Sequence, residues 1–206
     1  MHLGVDFDNT LVSYDELFHR CAVERGVIPA DTPKTKSAVR AYLWSLPGGN
    51  TPWTELQGIV YGTRMAEAAF FPGAREALSF CRGQGIRVSV ISHKIEFPSL
   101  GPRVRLREAA LGWMEEQGFF DPGGIGLSRG AIFFESSREE KLARIGREGC
   151  THFIDDLPEV LEAPGFPSGV GKWLFDPAGA DTVPRPGVRR FRSWPEIQSH
   201  LETMAR

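Results

Sequence analysis

Short apolar runs, alternating over much of the chain with helical stretches of about ten residues or more, constrain this 206-residue chain more than any other feature. The runs fall at 3–5, 86–91, 131–134, 151–154, 171–175 and 188–191. Between or after them, apolar residues recur at helical spacing. One such stretch, 74–82, carries Ala74, Ala77, Leu78 and Cys81, and others lie at 104–117, 138–148 and 194–204. A parallel pair of strands needs a crossover of about that length, so strand–helix alternation predicts an α/β fold with a doubly wound parallel sheet. One segment breaks the rhythm. Residues 13–69 hold three helical stretches (about 14–23, 34–46 and 51–68) and no credible strand, punctuated by Pro29, Pro33 and Pro47-Gly48-Gly49. Ser13 reads as the first N-cap and Thr51-Pro52 as the third helix start. The expected organisation is a Rossmann-like core of 1–12 and 70–206 with a small all-helical insertion at 13–69.

Open parallel sheets bind ligands beyond the carboxyl ends of their strands, where the strand order switches. Polar groups gather there. Asp6 and Asp8 follow the first strand, Ser92-His93-Lys94 follow the second, and Asp155-Asp156 end a later one. In extended backbone Asp6 and Asp8 face the same way and Phe7 the other, into the protein. Two acids so close repel, and a hard divalent cation such as Mg²⁺ relieves the repulsion. Each feature also has a plainer reading. Asp6–Thr10 could be a strand ending in an Asx-turn, Ser92 a strand-end cap and Asp155-Asp156 the cap of the next helix. Lys141, within Arg138-Glu139-Glu140-Lys141, could sit on a solvated helix face.

Taken in order, these residues resemble the motifs of the haloacid dehalogenase-like superfamily. The first, DxDx[TV], is Asp6-Phe7-Asp8-Asn9-Thr10, the second is Ser92, the third is Lys141, and the fourth is Asp155-Asp156 in Phe153-Ile154-Asp155-Asp156. Phe71-Pro72-Gly73 resembles the family's re-entry from its cap. The resemblance covers about 1–12 and 71–175, and implies that 13–69 is that cap. It implies a nucleophile at Asp6, a general acid and base at Asp8, and phosphoryl-binding groups at Thr10, Ser92 and Lys141. Mg²⁺ would be held by Asp6, by the backbone carbonyl of Asp8 and by an acid from Asp155 and Asp156, the sequence leaving open which of the two. The implied activity is hydrolysis of a phosphomonoester through an aspartyl-phosphate. Transfer of the phosphoryl group to another acceptor, or a non-catalytic binding role, are the competing readings.

Within that resemblance Asp8 favours phosphoryl chemistry, because a halide leaves without a proton and the dehalogenases lack this second acid. The phosphonatases use a cap lysine as a Schiff base, but Lys34 and Lys36 flank a proline-bounded helix start and read as exposed. His93, Lys94 and Arg105 are further candidates for contact with substrate. Arg103, Arg105 and Arg107 crowd a helix start, where the macrodipole disfavours cations, so they recruit an anion, pair with Glu108 and Glu115, or simply solubilise the surface. Tyr14, Trp44, Trp53 and Tyr61 either stack on substrate or form the insertion's own core. A net charge of −2 argues against nucleic acid or an anionic membrane as partner. Three dispersed cysteines match no disulfide or metal framework, and a strand starting at His2 leaves no room for a leader. The chain therefore reads as soluble and cytoplasmic, with a small phosphorylated molecule as its substrate.

Overall fold

The computed structural model describes residues 1–183 and 185–204. His2–Val5 form β1, buried along its whole length, followed by the two-residue β2 (Val12–Ser13). Three helices come next: α1 (Asp15–Glu24), α2 (Lys36–Trp44) and α3 (Asn50–Gly58). A π-helical turn at Ile59–Thr63 and a 3₁₀ turn at Met65–Glu67 lead to β3 (Ala69–Phe70). The chain then alternates through α4 (Ala74–Gly83), β4 (Arg87–His93), α5 (Leu106–Glu116), β5 (Ile132–Glu135) and α6 (Arg138–Arg147). It finishes with β6 (His152–Asp155), α7 (Pro158–Leu161), β7 (Gly171–Phe175), β8 (Val188–Phe191) and α8 (Trp194–Met204).

Among the described residues six strands form one parallel sheet in the order β5-β4-β1-β6-β7-β8. The predicted doubly wound α/β class is therefore what the chain adopts. Parallel strands are covered on both faces, which is why β1 reads His-Leu-Gly-Val without a polar alternate exposed to water. Gly4 permits the tight fit of β1 against β6: a Cβ there would lie 2.5 Å from Phe153 Cδ2 and 2.8 Å from Cys150 Sγ. On one side of the sheet Ile91, Leu142, Ile145, Phe153, Val160, Leu161 and Leu174 form a contiguous buried cluster. The order reverses at β1, since β4 and β5 extend to one side and β6 to β8 to the other. The crevice between the ends of β1 and β6 is thus the switch point where such sheets bind ligands.

The chain divides into two compact units, Met1–Val12 with Phe70–Lys94 and Gly118–Arg206, and Ser13–Ala69 with Ile95–Gln117. The expected division assigned 95–117 to the core, whereas the contacts group it with the insertion. The cause is local. A Cβ on Gly58 would lie 2.6 Å from Leu100 O, so the glycine lets the 95–105 loop close onto α3, and Trp113 Nε1 on α5 donates to Ala68 O at 2.9 Å. In the same unit Phe18 stacks on Trp53 with centroids 5.0 Å apart, and Tyr61 meets Tyr14 edge-on at 4.9 Å. Tyr14 and Trp53 are buried there, while Trp44 is 55% exposed beneath Arg40.

Several local expectations differ. Ser13 belongs to β2, and Tyr14 takes the N-cap position without a capping side chain. The third helix starts at Asn50, before Thr51-Pro52. At the margins of the insertion β2 and β3 pair as a two-stranded ribbon, too short for sequence periodicity to register. Lys36 is half-buried, its ammonium 5.7 Å from the Phe18 centroid and 5.5 Å from that of Tyr61, where exposure was expected. Among the described residues no helix is long and apolar enough to cross a membrane.

Candidate active site at the switch point

Asp6 leaves β1 with its amide still donating to Ile154 O on β6, at 2.9 Å, so the two strands deliver their acids side by side. The chain then folds over itself. Phe7 O accepts from Leu11 N at 3.0 Å and Val12 N at 3.1 Å, Asn9 sits at φ 60°, and Phe7 is fully buried. Asparagine tolerates that left-handed conformation better than most residues. Trp194 Nε1 donates to Thr10 O at 2.9 Å, which pins the loop from the start of α8. Nothing in the local sequence pointed to Trp194, because the bond joins residues far apart in the chain.

Carboxylate oxygens of Asp6, Asp155 and Asp156 all lie within 4.8 Å of one another. Lys141 stands between two of them, its Nζ 2.6 Å from Asp6 Oδ1 and 2.6 Å from Asp155 Oδ2. Asp155 Oδ1 accepts from Leu157 N at 3.0 Å, and Thr10 Oγ1 lies 3.5 Å from Asp6 Oδ2. Lys141 reaches this position because α6 turns it inward with Leu142 and Ile145, while Ser137 caps the helix by accepting from Glu140 N. It is 2% exposed, so the solvated-face reading fails.

Burial pushes the Asp6 carboxyl up to about 6, with Lys141 pulling the other way and the charges of Asp155 and Asp8 adding to the rise. Burial alone would lower the Lys141 ammonium. The carboxylates of Asp155 and Asp6 outweigh it and hold Lys141 above its usual value. Four carboxylates, those of Asp6, Asp8, Asp155 and Asp156, face the two ammoniums of Lys94 and Lys141. The surplus charge and the all-oxygen donor set suit a hard divalent cation, and the residues fit such an ion.

Asp8 stands outside the three-acid cluster, its two oxygens 3.0 and 2.7 Å from Lys94 Nζ. Ser92 is buried at the end of β4, and His93 points away, exposed, with Nε2 3.2 Å from Ser136 O. Sequence reasoning offered Lys94 as a candidate for contact with substrate, and the structure buries it against Asp8. The alternation of Ser92 and Lys94 was the signal that Lys94 shares the serine's face of the strand. Arg105 belongs to the second unit, where it is exposed and pairs with Glu108 at 3.1 Å and Glu96 at 3.6 Å. Arg103 there covers the Phe97 ring at 4.2 Å, and Arg107 lies 3.7 Å from Glu96. The partners of these arginines include Glu96, which was not foreseen.

No family model matches the sequence, and no curated protein matches it. Solved structures do. A HAD-superfamily hydrolase from Ehrlichia chaffeensis is 16% identical, with all of this chain and 97% of that one covered and a TM-score of 0.54. A HAD family hydrolase from Deinococcus radiodurans, solved with bound phosphate and sodium, is 18% identical over 98% of this chain and 95% of that one, at a TM-score of 0.57. A dehalogenase is 13% identical over 97% and 96%, at a TM-score of 0.58. By its sheet order and these likenesses, the chain has the fold of the haloacid dehalogenase-like hydrolases.

Proposed function

We propose that this protein is a Mg²⁺-dependent phosphomonoester hydrolase that works through an aspartyl-phosphate on Asp6. The observation that carries the reading is the convergence of carboxylate oxygens of Asp6, Asp155 and Asp156 within 4.8 Å of one another, two of these acids being bridged by the Lys141 ammonium, with a further acid, Asp8, two residues from the nucleophile. An Asp6 oxygen attacks phosphorus, the ester P–O bond breaks, and Asp8 gives a proton to the departing oxygen. Asp8 then takes a proton from water as the water oxygen attacks phosphorus, and the Asp6 carboxylate is released. Lys141 and Ser92 would bind the phosphoryl oxygens and meet the charge that builds on them. A divalent cation held by Asp6, Asp155 and Asp156 would cancel the repulsion between carboxylates and phosphate.

Dehalogenases share this fold, and Asp8 argues against that chemistry here, since a departing halide has no use for a proton donor. The phosphate recorded in the Deinococcus radiodurans protein supports phosphoryl chemistry on the same scaffold. The substrate would be a small phosphorylated metabolite of the cytoplasm. Release of p-nitrophenol from p-nitrophenyl phosphate, with and without Mg²⁺, tests the reading. Activity should require the metal and vanish in Asp6→Asn. Metal-dependent release that survives this substitution removes Asp6 as nucleophile, and chloride release from haloacids in place of phosphate release removes the phosphatase.

A further inference from the structure

We propose that Lys94 is a positioning residue that holds the Asp8 carboxylate for the second half of the reaction, the release of phosphate from Asp6. This rests on the phosphatase reading above. β4 runs through His93, so Ser92 and Lys94 share one face of the strand and His93 takes the other. Lys94 N donates to Glu135 O at 2.9 Å, which anchors the lysine backbone to β5. The side chain is 3% exposed and crosses the Phe7 ring, its ammonium 5.6 Å from the centroid. It ends on both oxygens of Asp8, at 3.0 and 2.7 Å. Burying an ammonium is costly unless a partner offsets it, and here the partner is a catalytic acid whose side-chain rotation the contact restricts.

In the step concerned an Asp8 oxygen accepts a proton from water, and the water oxygen bonds to phosphorus. The bond from phosphorus to the Asp6 oxygen breaks, its electron pair returns to the Asp6 carboxylate, and phosphate departs. Asp8 ends the step carrying the proton that it gives to the next leaving oxygen. A water molecule can be aligned in this way only by a carboxylate of fixed orientation, and Lys94 supplies the fixation from the side of β4.

Rapid-quench kinetics with p-nitrophenyl phosphate separate the two halves, because p-nitrophenolate leaves without needing a proton. In Lys94→Met the first turnover should give a burst of p-nitrophenol equal to the enzyme concentration. Steady-state turnover should then fall roughly 10²-fold, with KM falling alongside kcat and phosphoryl-Asp6 accumulating. Asp8→Asn should behave alike, and the double variant should lose no more than either single one. Lys94→Arg, which keeps a cation, should recover part of the turnover, and its burst decides the matter if Lys94→Met does not fold. A Lys94→Met enzyme with wild-type turnover, with no burst and a raised KM, or with a loss that multiplies with that of Asp8→Asn overturns this inference alone. A wild-type enzyme that releases no p-nitrophenol with Mg²⁺ present, or whose release survives Asp6→Asn, overturns the phosphatase reading, and this inference with it.

Discussion

Lys141 lies 2.6 Å from Asp6 and 2.6 Å from Asp155, so one ammonium on α6 ties together the ends of β1 and β6. All three side chains are almost fully buried. Removing the cation leaves two carboxylates in a low-dielectric crevice. Lys141→Ala should therefore destabilise the metal-free protein by about 3–5 kcal/mol. Added Mg²⁺ should restore much of that loss, because the ion offers the same acids an alternative partner. Chemical denaturation with and without Mg²⁺ measures both. An equal loss in the two conditions would show that no cation reaches the cluster.

Cation binding should depend on pH through Asp6. Burial pushes its carboxyl up to about 6 in the folded, metal-free protein, above the 3.8 of an unburied aspartate such as the unfolded chain offers. Between these values the folded state holds the proton and the unfolded state does not, so the Asp6 contribution to stability falls as pH rises. A bound cation needs the carboxylate and displaces the proton. Below about pH 6 each unit of acidification should weaken Mg²⁺ binding by up to roughly tenfold, and above it the dependence should flatten. Melting curves at pH 5 and 7.5, with and without MgCl₂, check this. The Mg²⁺-induced rise should be the larger at 7.5, and equal rises would contradict it.

Most of the fold was legible because its signals are local. β7, β8 and α8 lie at the positions that periodicity and turn residues gave for them, and β4 reaches the Ser92 that its apolar run pointed to. The acids were legible for a related reason, since a polar pair straight after an apolar run marks a strand end. What sequence could not carry was long-range. Trp194 meets Thr10 across most of the chain, and Leu100 meets Gly58 only because a side chain is missing there. The pairing of Lys94 with Asp8 has the same character. Alternation past Ser92 was a signal for the lysine's face that went unused, and only the assembled sheet shows which acid lies opposite it. The placement of α5 with the insertion follows from such contacts too, and periodicity within α5 carries no record of them.

Two substitutions away from the acids probe the frame that holds them. Gly4→Val would drive its Cβ into Phe153 and Cys150, and overpacking of that kind costs about 1–3 kcal/mol. Trp194→Phe would keep most of the buried ring but leave Thr10 O without this donor, for about 1–3 kcal/mol. The second should also slow turnover, because the loop it pins carries Asp8. Denaturant unfolding paired with steady-state kinetics separates the effects. A Trp194→Phe protein that is destabilised yet fully active would free the loop from any dependence on α8.

At the opposite end of β1 a buried histidine should make the protein acid-sensitive. His2 Nδ1 lies 2.9 Å from Glu148 O, and its Nε2 lies 2.9 Å from Ser89 Oγ. A carbonyl can only accept, so Nδ1 carries the proton and Nε2 accepts from the serine, as the neutral ring allows. Burial lowers the His2 value below 6.5, the nearby Arg87 lowers it further, and Glu148 opposes them in part. As pH falls through 6.5 the unfolded chain takes up a proton that the folded ring refuses, so stability is lost in that window. His152 and His200, also lowered chiefly by burial, act with the same sign. His2→Gln should flatten the slope of unfolding free energy between pH 7 and 5, while lowering stability at pH 7 by roughly 1 kcal/mol per lost hydrogen bond. Urea denaturation across that range supplies the measurement, and an unchanged slope would assign the acid sensitivity to the other two rings.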